Sequence, residues 1–573
     1  MLARAVLVLL AVIPSLIDAS SESFSRGGRL RASVDAAAFE AELQAAMGEA
    51  LGCGGEVAPE KLRQLEADLS SAFATLPKNG AGRIDRRSLR YLTYRHFSQK
   101  YALVIRGFEP SRPSNESLWA AAEVLSEKVP GYVENVLMSR HAEERGFDLQ
   151  DVALLITTIE QLVFDSESTL LATVYEKQRK PLARPLSRQG VHQLLEAYLV
   201  HWLLGSDEEG IRMLLNSERL RRKTFPHWEE LVAFAHGQVK ALDWERARSS
   251  GSSGLNAGRY SFEDAHEIVG GITHSFASFW ESECTEMKEQ LIAMDSQHTG
   301  RVPLSKFYGT GLEADWRFAE SEAYLRELGA LDETGRAGKQ VIIPNYIQAA
   351  SNCIVATNHY MVCCVNDCNP LLTELDRSLR SPTAEPQRIL AVVRNMTSGT
   401  SLEDEADARV DAKMAAQLET IAANHGGEVP IHGRLFLQWL HYVFPRQCPF
   451  PHKSGTTVHR APLEFEGEYV ASQETMKAEA SALPSESLPA FNVTNGTDAE
   501  LQWMSQWSEE EELIAGYEGA GPTGWRPLPQ ILGAGCFGVA VLLGSVRFNR
   551  KPSDEGLLPI HRGWVQERPY LQG

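Results

Sequence analysis

Six cysteines, Cys284, Cys353, Cys363, Cys364, Cys368 and Cys448, fall within one stretch of a 573-residue chain, and five histidines, His425, His432, His441, His452 and His459, crowd its end. Thiols and imidazoles cross-link, ligate soft metals and act as nucleophiles and bases, so residues 353–459 are the part of the chain best equipped for chemistry. Cys364 and Cys368 have a C-x-x-x-C spacing that matches no paired zinc-ligand pattern, and the C-x-x-C of a redox dithiol is absent. Structural disulfides, up to three, are the expected use of the six, with their connectivity open. Cys448, in Cys448-Pro-Phe-Pro-His452, is a candidate long-range partner for the Cys363–Cys368 group. Closing so long a loop contributes on the order of 2–4 kcal/mol. Cys53 stands alone near the N-terminus, and Cys536 falls in a late apolar run.

The motifs of hydrolases and nucleotide enzymes are missing. There is no G-x-S-x-G elbow, no H-E-x-x-H helix and no G-x-x-x-x-G-K-[ST] loop. Gly533-Ala-Gly-Cys-Phe-Gly538 fits G-x-G-x-x-G, but it lies in the apolar run without the strand and helix that a dinucleotide site requires. Its small residues, Ala534/Gly538 and Ala540/Gly544, instead suit close helix–helix approach. Trp439, Leu435 and Tyr442 share one helical face of Ile431–Tyr442, which reads as core.

One segment has a more specific spacing. Asp295-Ser-Gln-His-Thr-Gly-Arg-Val-Pro-Leu-Ser-Lys306 follows a helix-periodic stretch with Met287, Leu291 and Ile292 and precedes Phe307. It resembles an EF-hand loop, with Asp295 at position 1, Gly300 at position 6 for the sharp turn and Val302 at position 8 for pairing with a second loop. The calcium ligands that the resemblance implies are Asp295, Gln297, Thr299 and Arg301. The set departs from the family, because Lys306 stands where a bidentate Glu belongs. Weaker versions occur at Pro77–Ser88, with Gly82 and Ile84, at Asp332–Ile343 with a lengthened loop, and around Pro181–Gly190 with Leu186 and Ser187. Calcium is therefore a possible ligand of a damaged site, and no other cofactor is expected.

The remaining sequence sets the compartment. Residues 1–21 have the positive start, short apolar run and small-residue end of a secretory signal. Residues 528–548 approach the length of one membrane span, with Arg547, Arg550 and Lys551 on its C-terminal side predicting a cytosolic tail, 549–573. N-glycosylation triplets at Asn115, Asn395, Asn492 and Asn495 all fall on the lumenal side of that topology. A net charge of −19 with no basic stripe excludes a nucleic-acid footprint.

The predicted fold is mainly α. It is a two-lobed array of EF-hand-like helix–loop–helix units, with an N-terminal lobe at 35–244 and a Cys-rich helical C-terminal lobe at 259–460. A Ser/Gly-rich linker, 245–258, divides the lobes, and an acidic glycosylated stalk, 461–526, leads to one transmembrane helix. The expected function is that of a non-catalytic interaction or scaffold protein anchored in a secretory-pathway or cell-surface membrane, with a protein partner. Low-affinity calcium binding is one alternative, and a hydrolase or thiol enzyme using residues 353–459 is the other.

Overall fold

The structure, a computed structural model, describes residues 59–109, 146–205, 207–225, 227–249, 258–313, 317–334, 338–357, 359–399, 410–481 and 506–514, with residue 504. The signal segment, the 528–548 run, the tail, Cys53, Cys536, and the triplets at Asn115, Asn492 and Asn495 lie outside them. Among the described residues no helix is long and apolar enough to cross a membrane. Sixteen helices dominate the described chain, in agreement with the mainly helical expectation.

A local pattern recurs along the chain: a helix, a turn, one or two residues in extended backbone, a cap and another helix. Ile84, between helices Pro59–Thr75 and Arg86–Tyr101, exchanges both backbone hydrogen bonds with Phe147, at 2.8 and 2.9 Å. Leu186 pairs with Tyr260, Val302 with Val341, and Ala384 with Val429, each as an antiparallel contact between two helical hairpins. Apart from Leu186, all of these pairing residues are buried. In the first two pairs a capping residue follows at once. Asp85, Asp148, Ser187 and Ser261 each accept a backbone N–H three residues on, and Asp148 and Ser261 form reciprocal capping boxes with Asp151 and Asp264. An apolar residue followed by a cap thus stops one element and starts the next.

Two long helices belong to consecutive pairs. Leu149–Lys177, 29 residues, leaves the first pair and enters the second, and Phe262–Met294, 33 residues, leaves the second and enters the third. At 1.5 Å per residue they run roughly 43 and 50 Å, so neighbouring pairs are joined by rigid rods.

One apolar core takes in residues from Leu65 to Phe276 together with Val355, Tyr360 and Val362, so its residues lie on both sides of the 245–258 stretch. The Leu186–Tyr260 contact joins the two sides directly. A three-stranded sheet also crosses between the proposed lobes, with Leu103–Ile105 paired to Tyr360–Val362 and that strand paired to Val355–Ala356. Separate clusters fill the later pairs, one around Phe307, Phe318 and Tyr346 and one around Phe436, Trp439 and Leu440.

Parts of the 461–526 stretch are packed on the body. Tyr469 and Ala471 exchange backbone bonds with Ser321 and Ala319, and Gln473–Ser481 is a helix against Leu304–Glu313. Residues 506–514 form a strap. Trp507 packs on the C-terminal core, Gln438 bonds Ser508 at both its N–H and its carbonyl, and Arg434 donates to the carbonyl of Glu510. Gly433 precedes the Arg434–Val443 helix and has no side chain to cap it. Glu511 takes that role from 76 residues away, accepting the Leu435 N–H at 3.1 Å and pairing with His425. Replacing Glu511 with Ala should cost about 1 kcal/mol, the usual loss of an N-cap, and speed proteolysis within 506–514. Unchanged melting and cleavage rates would show that the strap does not hold the helix end.

Candidate functional site

The Asp295 loop is built at the end of the Phe262–Met294 helix, where Asp295 is the C-terminal cap residue. Gly300 has φ +70°, and a Cβ there would lie 2.0 Å from the Pro445 carbonyl oxygen, so both conformation and space demand glycine. The Asp295 carboxylate is buried and turned into its own loop. Oδ1 accepts from the Thr299 N–H at 3.0 Å and Oδ2 from the Gly300 N–H at 2.9 Å.

The cation that meets this carboxylate is a side chain. Arg446 Nε donates to Asp295 Oδ2 at 3.1 Å, and its second nitrogen donates to the Asp295 carbonyl at 3.2 Å. Of the other residues proposed as ligands, Gln297 is exposed and Thr299 donates to Asp295. Lys306 reaches back to the Met294 carbonyl at 3.3 Å and so closes the preceding helix end.

Arg301 leaves the loop altogether. Its Nε donates to buried Asp332 at 2.8 Å, and one terminal nitrogen donates to Gln506 Oε1 at 2.8 Å. The other terminal nitrogen faces His441 Nε2 at 3.2 Å, and the guanidinium lies over the Tyr442 ring. Asp332, the first residue of the lengthened loop, also accepts the N–H and hydroxyl of Thr334. His441 Nδ1 sits 2.7 Å from the Cys448 carbonyl, which can only accept, so Nδ1 carries the proton and Nε2 is the acceptor for Arg301. Burial, reinforced by Arg301, holds the His441 pKa well below the ordinary imidazole value, and the ring is neutral.

The same chemistry recurs where the first and last pairs meet. Asp376 binds Arg95 at 2.6 Å and accepts the Thr75 hydroxyl at 2.6 Å, with His432 alongside. Burial opposes its charge, but the His432 hydrogen bond and Arg95 keep its carboxyl below the usual range. Glu160 gathers Lys61, Lys100, His96 and the Tyr101 hydroxyl, and against burial these hold it ionised. Among the described residues no cation meets Glu167. Tyr360 donates to it at 3.1 Å and Trp202 donates to Tyr360, while burial pushes its carboxyl up to about 8.

The six cysteines form three bridges, Cys284–Cys364, Cys353–Cys363 and Cys368–Cys448. His441, Cys448 and His452 come close around Phe450, but His441 and His452 bond backbone carbonyls, Cys448 is oxidised, and His441 and Cys448 are buried. His425 bonds the Ile421 carbonyl, and His459 lies beside Cys353 and Cys363. Asn395 is exposed on the Pro386–Gly399 helix. A separate groove of about 800 Å³ is lined by Lys177, Glu196, His201, Glu208, Arg212 and Arg221. Arg446 and the Arg301–Asp332 pairing were invisible in the sequence. Arg446 is 151 residues from Asp295, and no spacing rule links them.

Comparison of the chain with known protein families, curated proteins and solved structures found no match.

Arg446→Met strands a buried carboxylate, and breaking such a pair costs about 3–5 kcal/mol. A large fall in Tm is expected, partly recovered in Asp295→Asn/Arg446→Met, and an unchanged Tm in the single variant would refute the pairing. Glu167 predicts a pH dependence. Its folded pKa of about 8 exceeds the unfolded value of about 4.3, so the native state holds the extra proton between those values. Stability is therefore full below the unfolded pKa and falls as pH rises toward 8. Glu167→Gln should raise Tm relative to the parent more at pH 8 than at pH 5, and equal shifts would contradict the assignment.

Proposed function

We propose that this chain is a non-catalytic interaction or scaffold protein, membrane-anchored in the secretory pathway or at the cell surface, with its body on the lumenal or outer side. In this reading the helix–loop–helix units are degenerate EF-hands in two lobes, and the 528–548 run is the single span. The signal segment, the glycosylation triplets and the three disulfides support that compartment.

The observation that carries the reading is the pair of arginines on the two loop aspartates, Arg446 on Asp295 and Arg301 on Asp332. In an EF-hand the first carboxylate binds calcium. A guanidinium on that carboxylate supplies the positive charge internally, with fixed donors and no loss of charge at any physiological pH. The loops then hold their helices at constant angles, and a fixed surface faces a protein partner.

Low-affinity calcium binding has one observation in its favour. The Asp295 oxygens accept from loop N–H groups at Thr299 and Gly300, so the carboxylate is already turned inward. EF-type modules outside the cytosol work at roughly 10⁻⁴–10⁻³ M.

The deciding measurement is a calorimetric calcium titration of the secreted chain ending at residue 526, which retains the strap, with melting in calcium and in chelator. No saturable heat and identical Tm values are expected for the parent chain and for Lys306→Glu, because Arg446 remains in place. Saturable heat with a calcium-dependent Tm in the parent chain would overturn the scaffold reading in favour of calcium binding.

A further inference from the structure

The Cys353–Cys363 bridge differs from the other two in what it holds. It closes ten residues, whereas each of the others closes eighty. The entropic effect of a cross-link grows with loop length, so this bridge contributes least. The loop is also closed without it. Val355 and Ala356 pair with Val362 and Met361, and Ile354 and Thr357 donate backbone bonds to Val362 and Tyr360 at 2.9 Å. The next cysteines in sequence, Cys364 and Cys368, are tied to Cys284 and Cys448, so this segment stays anchored if the short bridge opens. Stability alone gives little reason for the bond.

A third donor faces it. The two sulfurs and a His459 ring nitrogen all lie within 4.8 Å of one another. His459 Nε2 is buried, with no hydrogen-bond partner among the described residues. Most buried polar side-chain atoms find a partner, so an unsatisfied nitrogen on a ring that lies beside two sulfurs leaves room for a ligand. Val104, Ala350, Met361 and Ala461 pack around Cys363 as an apolar wall. Cys353 is half-exposed and gives access from solvent.

We propose that opening the Cys353–Cys363 disulfide converts this cluster into a zinc site with two thiolates, His459 and a solvent-open fourth position. A small-molecule thiol supplies the two electrons. The S–S bond breaks, two reductant thiols become one disulfide, and their two protons pass to Cys353 and Cys363. Zinc then displaces those protons, and the two thiolate charges balance the ion beside the apolar wall. With Zn–S near 2.3 Å and Zn–N near 2.0 Å, tetrahedral donors lie roughly 3.5–3.8 Å apart, a spacing the two bonded sulfurs reach only once the bridge is open, while a His459 nitrogen already lies within 4.8 Å of both. While the bridge is closed, neither sulfur can ligate. The site is therefore gated by redox state, and it goes beyond the scaffold reading without depending on it.

The test uses the full chain, mild reduction with reduced glutathione, and zinc alone as the probe. Alkylation with mass mapping should find Cys353 and Cys363 opened first, and zinc should protect both from alkylation. One equivalent of zinc is expected only after reduction, with thiolate-to-metal charge transfer when cobalt replaces zinc. His459→Gln should weaken zinc by roughly tenfold or more while Tm in the oxidised state is kept. Equal zinc uptake by the oxidised chain would overturn the proposal, as would earlier opening of another bridge. So would a lack of protection in the parent chain, a reading that needs no variant to fold.

Discussion

Buried guanidinium–carboxylate pairing is the constraint on which the later half of this molecule depends. Asp295, Asp332 and Asp376 are almost wholly removed from water, and each has an arginine from another element against it. Removing both charges from water is costly, and the attraction repays it only when the remaining donors and acceptors are also satisfied. Here the carboxylates take loop N–H groups and hydroxyls as well, and Arg301 is shared among Asp332, His441 and Gln506. Arginine suits this role because its planar fork stays charged and reaches two acceptors at once.

These pairs join elements that the hydrophobic clusters leave distinct. Arg446 follows the last hairpin and closes on the loop of the third pair, and Arg95 in the first pair closes on Asp376 in the fourth. The long helices Leu149–Lys177 and Phe262–Met294 link the first three pairs by continuous backbone. Together the rods and the charge pairs leave each loop little freedom to open independently. The strap adds to this, because Glu511 ends one helix and Gln506 completes the coordination of Arg301.

Where no cation is supplied, burial has the opposite result. Glu167 is buried with only the neutral hydroxyls of Tyr360 and Thr273 as hydrogen-bond partners among the described residues, and its carboxyl is pushed up to about 8, whereas Glu160, with Lys61 and Lys100 at hand, stays ionised. The two glutamates share one helix, seven residues apart, and differ only in what neighbouring elements bring to them.

Much of the local structure was legible in the residues themselves. Helical periodicity announced the helices, the glycine and apolar residue of Gly300 and Val302 announced a turn and a pairing contact, and six clustered cysteines announced bridges, because each signal acts within a few residues. The 245–258 stretch read as a linker because its composition is Ser- and Gly-rich, yet its last residue, Gly258, makes a turn, and Tyr260 and Ser261 right after it supply a pairing residue and a cap. Short-range chemistry determined where elements begin and end. Which carboxylate meets which arginine, which cysteines join and what caps the Arg434 helix were decided by tertiary structure alone, since those partners lie 31 to 281 residues apart, apart from the one short bridge, and only packing brings them together.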